Sequence, residues 1–213
     1  RTRAPLLSFG GSGAIGKTMV ASSWRGVKYM REYVVPANPR TTAQQAVRST
    51  FALMREMWKI APAIQTAPWN AFAKGRPFLG FNKYIGENVR VLNGQMDLAN
   101  FIGSPGSGGG LPPTAVVVAD AGGQTITATF TNPAPPDGWT LTAAQAVAIT
   151  DQDPAGFFTG KYVAAEDNTV PISVVTLDVD VAGDYVVSAW LKWTKPDGTF
   201  AYSVSSTSQI TVA

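Results

Sequence analysis

The stretch Gly103-Ser-Pro-Gly-Ser-Gly-Gly-Gly-Leu-Pro-Pro113 constrains this chain more than any other, because composition and the sign of the charge both change across it. Before residue 111, Lys and Arg outnumber Asp and Glu by 14 to 4, a balance of +10; from there onward they are outnumbered 3 to 10, a balance of −7, which together give the formal +3. A Gly/Ser tract behaves as flexible coil, and Pro112-Pro113 stiffens its exit. The expectation is an interdomain linker over 103–113, dividing a basic part, 1–102, from an acidic part, 114–213. Opposite charge on the two sides implies that they face different environments.

Composition narrows the chemistry. With 45% hydrophobic residues among 213, the chain has enough apolar material for a core, whereas 15% charged residues is well below the roughly 25% of ordinary soluble domains. There is no cysteine and no histidine. Thiolate nucleophiles, disulfides and Cys-type metal sites are excluded, as are the commonest general base and metal ligand. No apolar run reaches the about 18 residues of a membrane-spanning helix. Arg1-Thr-Arg-Ala-Pro5 has no apolar segment of the secretory kind.

Residues 114–213 read as strands. In Gln124–Phe130 the residues Ile126, Ala128 and Phe130 alternate with threonines, and in Asp184–Trp193 the residues Tyr185, Val187, Ala189, Leu191 and Trp193 share one face. Lys195-Pro-Asp-Gly198 has turn chemistry, with Phe200, Tyr202 and Val204 beyond it, so a hairpin is expected. Further strands are expected at 114–119, 139–150, 161–165, 171–179 and 209–212. About seven short strands in a hundred residues indicate an antiparallel sandwich. Gly183-Asp-Tyr185 resembles the tyrosine corner of immunoglobulin and fibronectin type III domains, with Val187 where antibody domains place a cysteine. The resemblance is to the disulfide-free relatives of that fold.

The first part has another character. Residues 1–40 lack a sustained period and read as an extended arm with short strands, stopped at Asn38-Pro39. Thr41-Thr-Ala-Gln44 fits a capping box. Val47, Phe51, Met54 and Trp58 then form a helical stripe that ends before Pro62. A second helix is expected from Thr66 through Trp69 and Phe72 to Gly75, and a third over 81–92 with Phe81, Tyr84, Ile85, Val89 and Leu92 as its apolar side. Three short helices make a thin core, and such a module is expected to complete its folding against something else. The fold class is therefore α+β multidomain: an N-terminal extended arm with short α-helices, then a C-terminal all-β immunoglobulin-like sandwich.

Three motifs bear on function. Gly11-Ser-Gly-Ala-Ile-Gly-Lys17-Thr18 has the spacing of a phosphate-binding P-loop. That chemistry needs a parallel α/β sheet and a helix after the loop, whereas Met19–Val35 reads as strand or arm, so a glycine-rich turn is the preferred reading. Asp151/Asp153 and Asp178/Asp180 have the donors that calcium takes but not the EF-hand pattern, and turn or surface roles are preferred. Finally, Trp24, Arg25, Lys28, Tyr29, Arg31, Tyr33, Asn38, Arg40, Arg48, Trp58 and Trp69 combine the residue types of protein-interface anchors with those of nucleic-acid binders. With no recognised nucleic-acid fold, contact with an acidic protein surface is favoured.

Residues 12–93 resemble a family of small proteins encoded in the structural gene blocks of tailed phages and prophages. The likeness rests on Gly13-Ala-Ile-Gly-Lys-Thr18, Ser23-Trp-Arg-Gly26, Tyr29-Met-Arg31, Val35-Pro-Ala-Asn-Pro-Arg-Thr41, Gln44 with Arg48, Trp58, Trp69 and Gly80-Phe-Asn82. It implies a virion component; the +10 balance of the first part beside the −7 of the sandwich favours the capsid surface over tail, neck or baseplate. The role expected is a capsid decoration or cement protein, not an enzyme, with no cofactor and no metal. The expected partners are other virion proteins, the major capsid protein first, with the chain present in many copies. Weak host-surface or glycan contact would fall to the sandwich, through Trp139 or Trp190 if either is exposed. Neither a membrane nor nucleic acid is an expected partner.

Overall fold

The structure is a computed structural model that describes residues 13–35, 37–92, 98–150 and 162–213. The chain divides into two compact units, 1–40 and 41–213. The expected boundary at 103–113 is therefore not where the chain divides.

The first unit is a small antiparallel sheet of β1 (Gly13–Ile15), β2 (Met19–Trp24) and β3 (Val27–Glu32), in that order. Gly16, at φ 56°, opens the turn from β1 to β2. The residues after Lys17-Thr18 thus enter a strand, where a P-loop would require a helix; Gly11 and Ser12 lie outside the described residues. Arg25 and Gly26 close β2 onto β3 with φ of 47° and 83°, the two positive values that a two-residue hairpin turn needs to match strand twist. Among the described residues of this unit, none is buried.

The second unit has three layers. Helices α1 (Thr42–Ile60), α2 (Ala63–Ala73) and α3 (Gly80–Leu92) form the first. Thr41 caps α1, its hydroxyl accepting the Gln44 amide at 3.4 Å, as the capping motif predicts. The buried side of α1 is Thr50, Leu53, Met54 and Met57, with Trp58 at its margin. Val47 and Phe51, expected on that side, are about half exposed (48% and 50%). Gly80 lets α3 start against α2: a Cβ there would stand 2.9 Å from the Asn70 backbone nitrogen.

The other two layers are sheets. A six-stranded sheet runs β4 (Pro105–Ser107), β11 (Phe200–Val204), β10 (Gly183–Thr194), β7 (Thr140–Thr150), β8 (Tyr162–Asp167), with β12 (Ser206–Val212) also on β10. A three-stranded sheet of β5 (Ala115–Asp120), β6 (Thr125–Thr131) and β9 (Val174–Asp178) faces it, giving an α+β fold with a β-sandwich region. The expected alternation holds: Tyr185, Val187, Ala189, Leu191 and Trp193 enter the space between the sheets with Ile126, Ala128, Phe130, Val175 and Leu177. The Tyr185 hydroxyl donates to the Val181 carbonyl at 2.6 Å.

The opposite face of β7 and β10 is also buried, and the helices cover it. Val147, Ile149, Val186, Trp190 and Tyr202 share one core with Leu53, Met54, Met57, Trp69, Tyr84, Ile85 and Leu92. Each fully buried large aliphatic side chain contributes about 1.5–3 kcal/mol, so an interface of this size holds the layers as one body. What completes the thin helical core is the chain's own sheet.

The supposed linker joins these layers. The Gly103 carbonyl accepts from Gln65 Nε2 at 2.9 Å and from Trp69 Nε1 at 2.8 Å, and its amide donates to Ser205 Oγ at 3.0 Å. Asn88 holds Ile102 from both sides, accepting its N–H at 2.8 Å and donating to its carbonyl at 3.3 Å. A Cβ at Gly103 would fall 2.6 Å from Ser188 Cβ, and one at Gly110 would fall 2.5 Å from the Tyr202 carbonyl carbon. These glycines answer a steric demand and do not form a hinge.

Candidate partner-binding surface

Of the residues singled out in sequence, five stand together on the hairpin: Trp24, Arg25, Lys28, Tyr29 and Arg31. Trp24 and Val27 pair across the strands next to the turn, followed by Ser22 with Tyr29 and Val20 with Arg31, so Trp24, Val27, Tyr29 and Arg31 share one face. Tyr33 joins the same series, its N–H donating to the Thr18 carbonyl at 2.9 Å. Trp24 and Val27 are 68% and 69% exposed, and Met30, on the other face, is 54% exposed. Trp24, Arg25, Val27 and Tyr29 line a groove of about 580 Å³, and the Arg25 guanidinium sits 5.8 Å from the Trp24 ring centre. Over residues 13–40 the charges are Lys17, Arg25, Lys28, Arg31 and Arg40 against Glu32 alone. The surface can hold an apolar group against aromatic rings while several cations meet a negative neighbour.

The remaining candidates lie outside the hairpin. Asn38 and Arg40 are exposed in the segment leading to α1, and Arg48 is exposed on α1. Trp69 corrects the expectation, because it belongs to the internal core, while Trp58 is partly buried at that core's margin. Trp69 has no exposed surface and donates to Gly103. Trp58 packs on Tyr84 and Phe81, with ring centres 5.0 and 5.9 Å apart. Of the sandwich tryptophans, Trp190 is wholly buried and donates to Gln145 Oε1 at 2.9 Å, while Trp139 is half-buried with Lys195 Nζ 5.3 Å from its ring centre.

The ion pairs among the described residues, Arg55–Glu56, Lys59–Glu56, Lys83–Glu87 and Arg90–Glu87, each lie within one helix. Where α3 meets β8, the contact is Tyr84 Oη to Tyr162 Oη at 3.5 Å, and burial raises the pKa of both phenols so that they stay neutral.

A second cleft, of about 410 Å³, was not foreseen in sequence. It lies where α2 ends against residues 106–110, with Lys74, Arg76 and Tyr202 in its lining. Arg76 lies 4.0 Å from the Phe72 ring centre. Only the tertiary approach of the glycine segment to α2 creates it. Among the described residues no group of three or more His, Cys, Asp or Glu could hold a metal. Asp178 accepts from Thr125 at 3.4 Å, and Asp151 and Asp153 lie outside the described residues.

No protein-family model and no curated protein matches the chain. Among solved structures, a β-sandwich protein from a computer-based redesign is similar over 48% of this chain and 90% of its own length, at 17% identity and a TM-score of 0.32.

Proposed function

We propose that this protein is a non-catalytic structural component of a tailed-phage virion. The N-terminal unit acts as an attachment arm, and residues 41–213 are the displayed body. One observation carries the reading: among the described residues of the basic N-terminal unit none is buried, and Trp24, Val27 and Met30 stand in solvent. A three-stranded sheet without a covered face is marginal in water, so a surface that covers it supplies the missing burial. The resemblance of residues 12–93 to phage structural proteins supports reading that surface as part of a particle. The arm's positive charge favours an acidic one, with the major capsid protein first.

The body is read as immunoglobulin-like. Its first, second and fifth sandwich strands (β5, β6, β9) oppose the third, fourth and sixth (β7, β8, β10), with β11 and β12 completing the larger sheet. The Tyr185–Val181 bond has the form of a tyrosine corner. Anchoring through 1–102 as a whole is replaced by anchoring through the arm, since the helices are engaged internally. A protein that binds only the assembled shell stabilises it by mass action, which is a cementing role.

The test adds purified protein to phage particles that lack it. Saturable binding with a raised particle melting temperature is expected. Trp24→Ala with Tyr29→Ala should weaken binding at least about tenfold and leave the protein's own unfolding unchanged. Equal binding by the double variant would overturn the arm reading, and label confined to the tail would overturn the capsid assignment.

A further inference from the structure

The outer edge of β3 has chemistry that is complementary to itself. In the hairpin, Trp24–Val27, Ser22–Tyr29 and Val20–Arg31 are opposite each other, and Tyr33 N–H bonds Thr18 O in the same phase. The main-chain groups of residues 27, 29, 31 and 33 therefore point at β2, and those of Lys28, Met30 and Glu32 point away from it. Among the described residues no strand lies along that side, because β3 ends the sheet order. An exposed edge of this kind is a template for another strand.

We infer that the occupant is β3 of a second copy, paired antiparallel about a two-fold axis at Met30. Only registers that set outward-pointing residues against each other satisfy the main chain, and charge selects among them. Centring on Lys28 or Arg31 places like charges opposite one another, and centring on Tyr29 sets Lys28 against Met30. Centring on Met30 sets Lys28 against Glu32 and Tyr29 against Arg31, each twice by symmetry, with Val27 against Tyr33. Opposite charges and cation–aromatic neighbours are the favourable cross-strand pairs. An isologous contact of this type closes on itself and does not propagate into a fibre. It also joins the two Trp24–Val27–Tyr29 faces into one surface of doubled area. This inference goes beyond the attachment reading, because it uses the strand edge and leaves the face free.

Sedimentation equilibrium on the full chain up to about 100 μM tests it. A concentration-dependent dimer is expected. Glu32→Lys, and separately Lys28→Glu, should each weaken the dimer about tenfold by setting like charges opposite one another in both symmetry-related pairs. Lys28→Glu combined with Glu32→Lys should restore it. A chain that remains monomeric, single variants that dimerise like the parent, or a double swap that does not recover would overturn the inference. A monomer that still binds particles would leave the attachment reading standing.

Discussion

At the scale of single residues, the molecule depends on a few polar contacts that tie the glycine segment to the core. Trp69 fills the helix–sheet core and donates to Gly103, so Trp69→Ala should cost about 3–5 kcal/mol in urea unfolding. Trp69→Phe keeps an aromatic ring, loses part of the buried volume and leaves the Gly103 carbonyl with Gln65 alone, for a smaller cost of about 1–3 kcal/mol. Acid sensitivity has a specific source in Asp167, whose carboxylate accepts from the Thr169 hydroxyl and from the amides of Thr169 and Ser173. The Thr169 hydroxyl bond is the largest cause holding its pKa below the ordinary value. A lowered carboxylate pKa means that its stabilisation is complete above about pH 4 and is lost as pH falls through the folded value. Asp167→Asn should therefore lower the melting temperature at pH 7 and converge with the parent in strong acid. A gap that widened toward low pH would contradict the assignment.

At the scale of elements, the distinction lies between glycines that permit flexibility and glycines that permit contact. Gly110→Ala drives a Cβ into the Tyr202 backbone, whereas Gly122 has nothing within 4 Å of the corresponding position. Both have or border unusual backbone, but only the first should cost more than about 2 kcal/mol; Gly122→Ala, at φ 80°, should cost about 1 kcal/mol in the same unfolding assay. Strands, helices and the Thr41 cap were legible in sequence because period and capping chemistry are local. The role of 103–113 was not, because a Gly/Ser tract reads the same whether it is free or pressed against Ser188 and Tyr202. The α1 stripe shifted for a related reason. Val47, Phe51, Leu53, Met54 and Met57 are all apolar, and only the position of the sheet decides which of them is covered. The burial of Trp69 is not readable from the sequence, since nothing in its spacing shows that Val147, Val186 and Trp190 lie beneath the helices.

At the scale of the whole molecule, the change in charge at the glycine tract does not mark two independently placed domains. Helices and sandwich share an apolar core, and the basic excess stays in solvent both on the N-terminal sheet and on the helices, where Arg48, Arg55, Lys74 and Arg90 are exposed. The Trp24-Arg25-Lys28-Tyr29-Arg31 group was legible because aromatic and cationic residues alternate there at strand spacing; its β3 edge emerged only once the pairing phase was known. Residues 41–213 open as one body, while 13–40 open separately. Hydrogen exchange by mass spectrometry on dilute full-length protein tests this directly. One common high protection is expected for α1, α2, α3, residues 101–107, β7 and β10, with far faster exchange in β2 and β3. Helices that exchange while β7 and β10 remain closed, as a hinged domain would, contradict it.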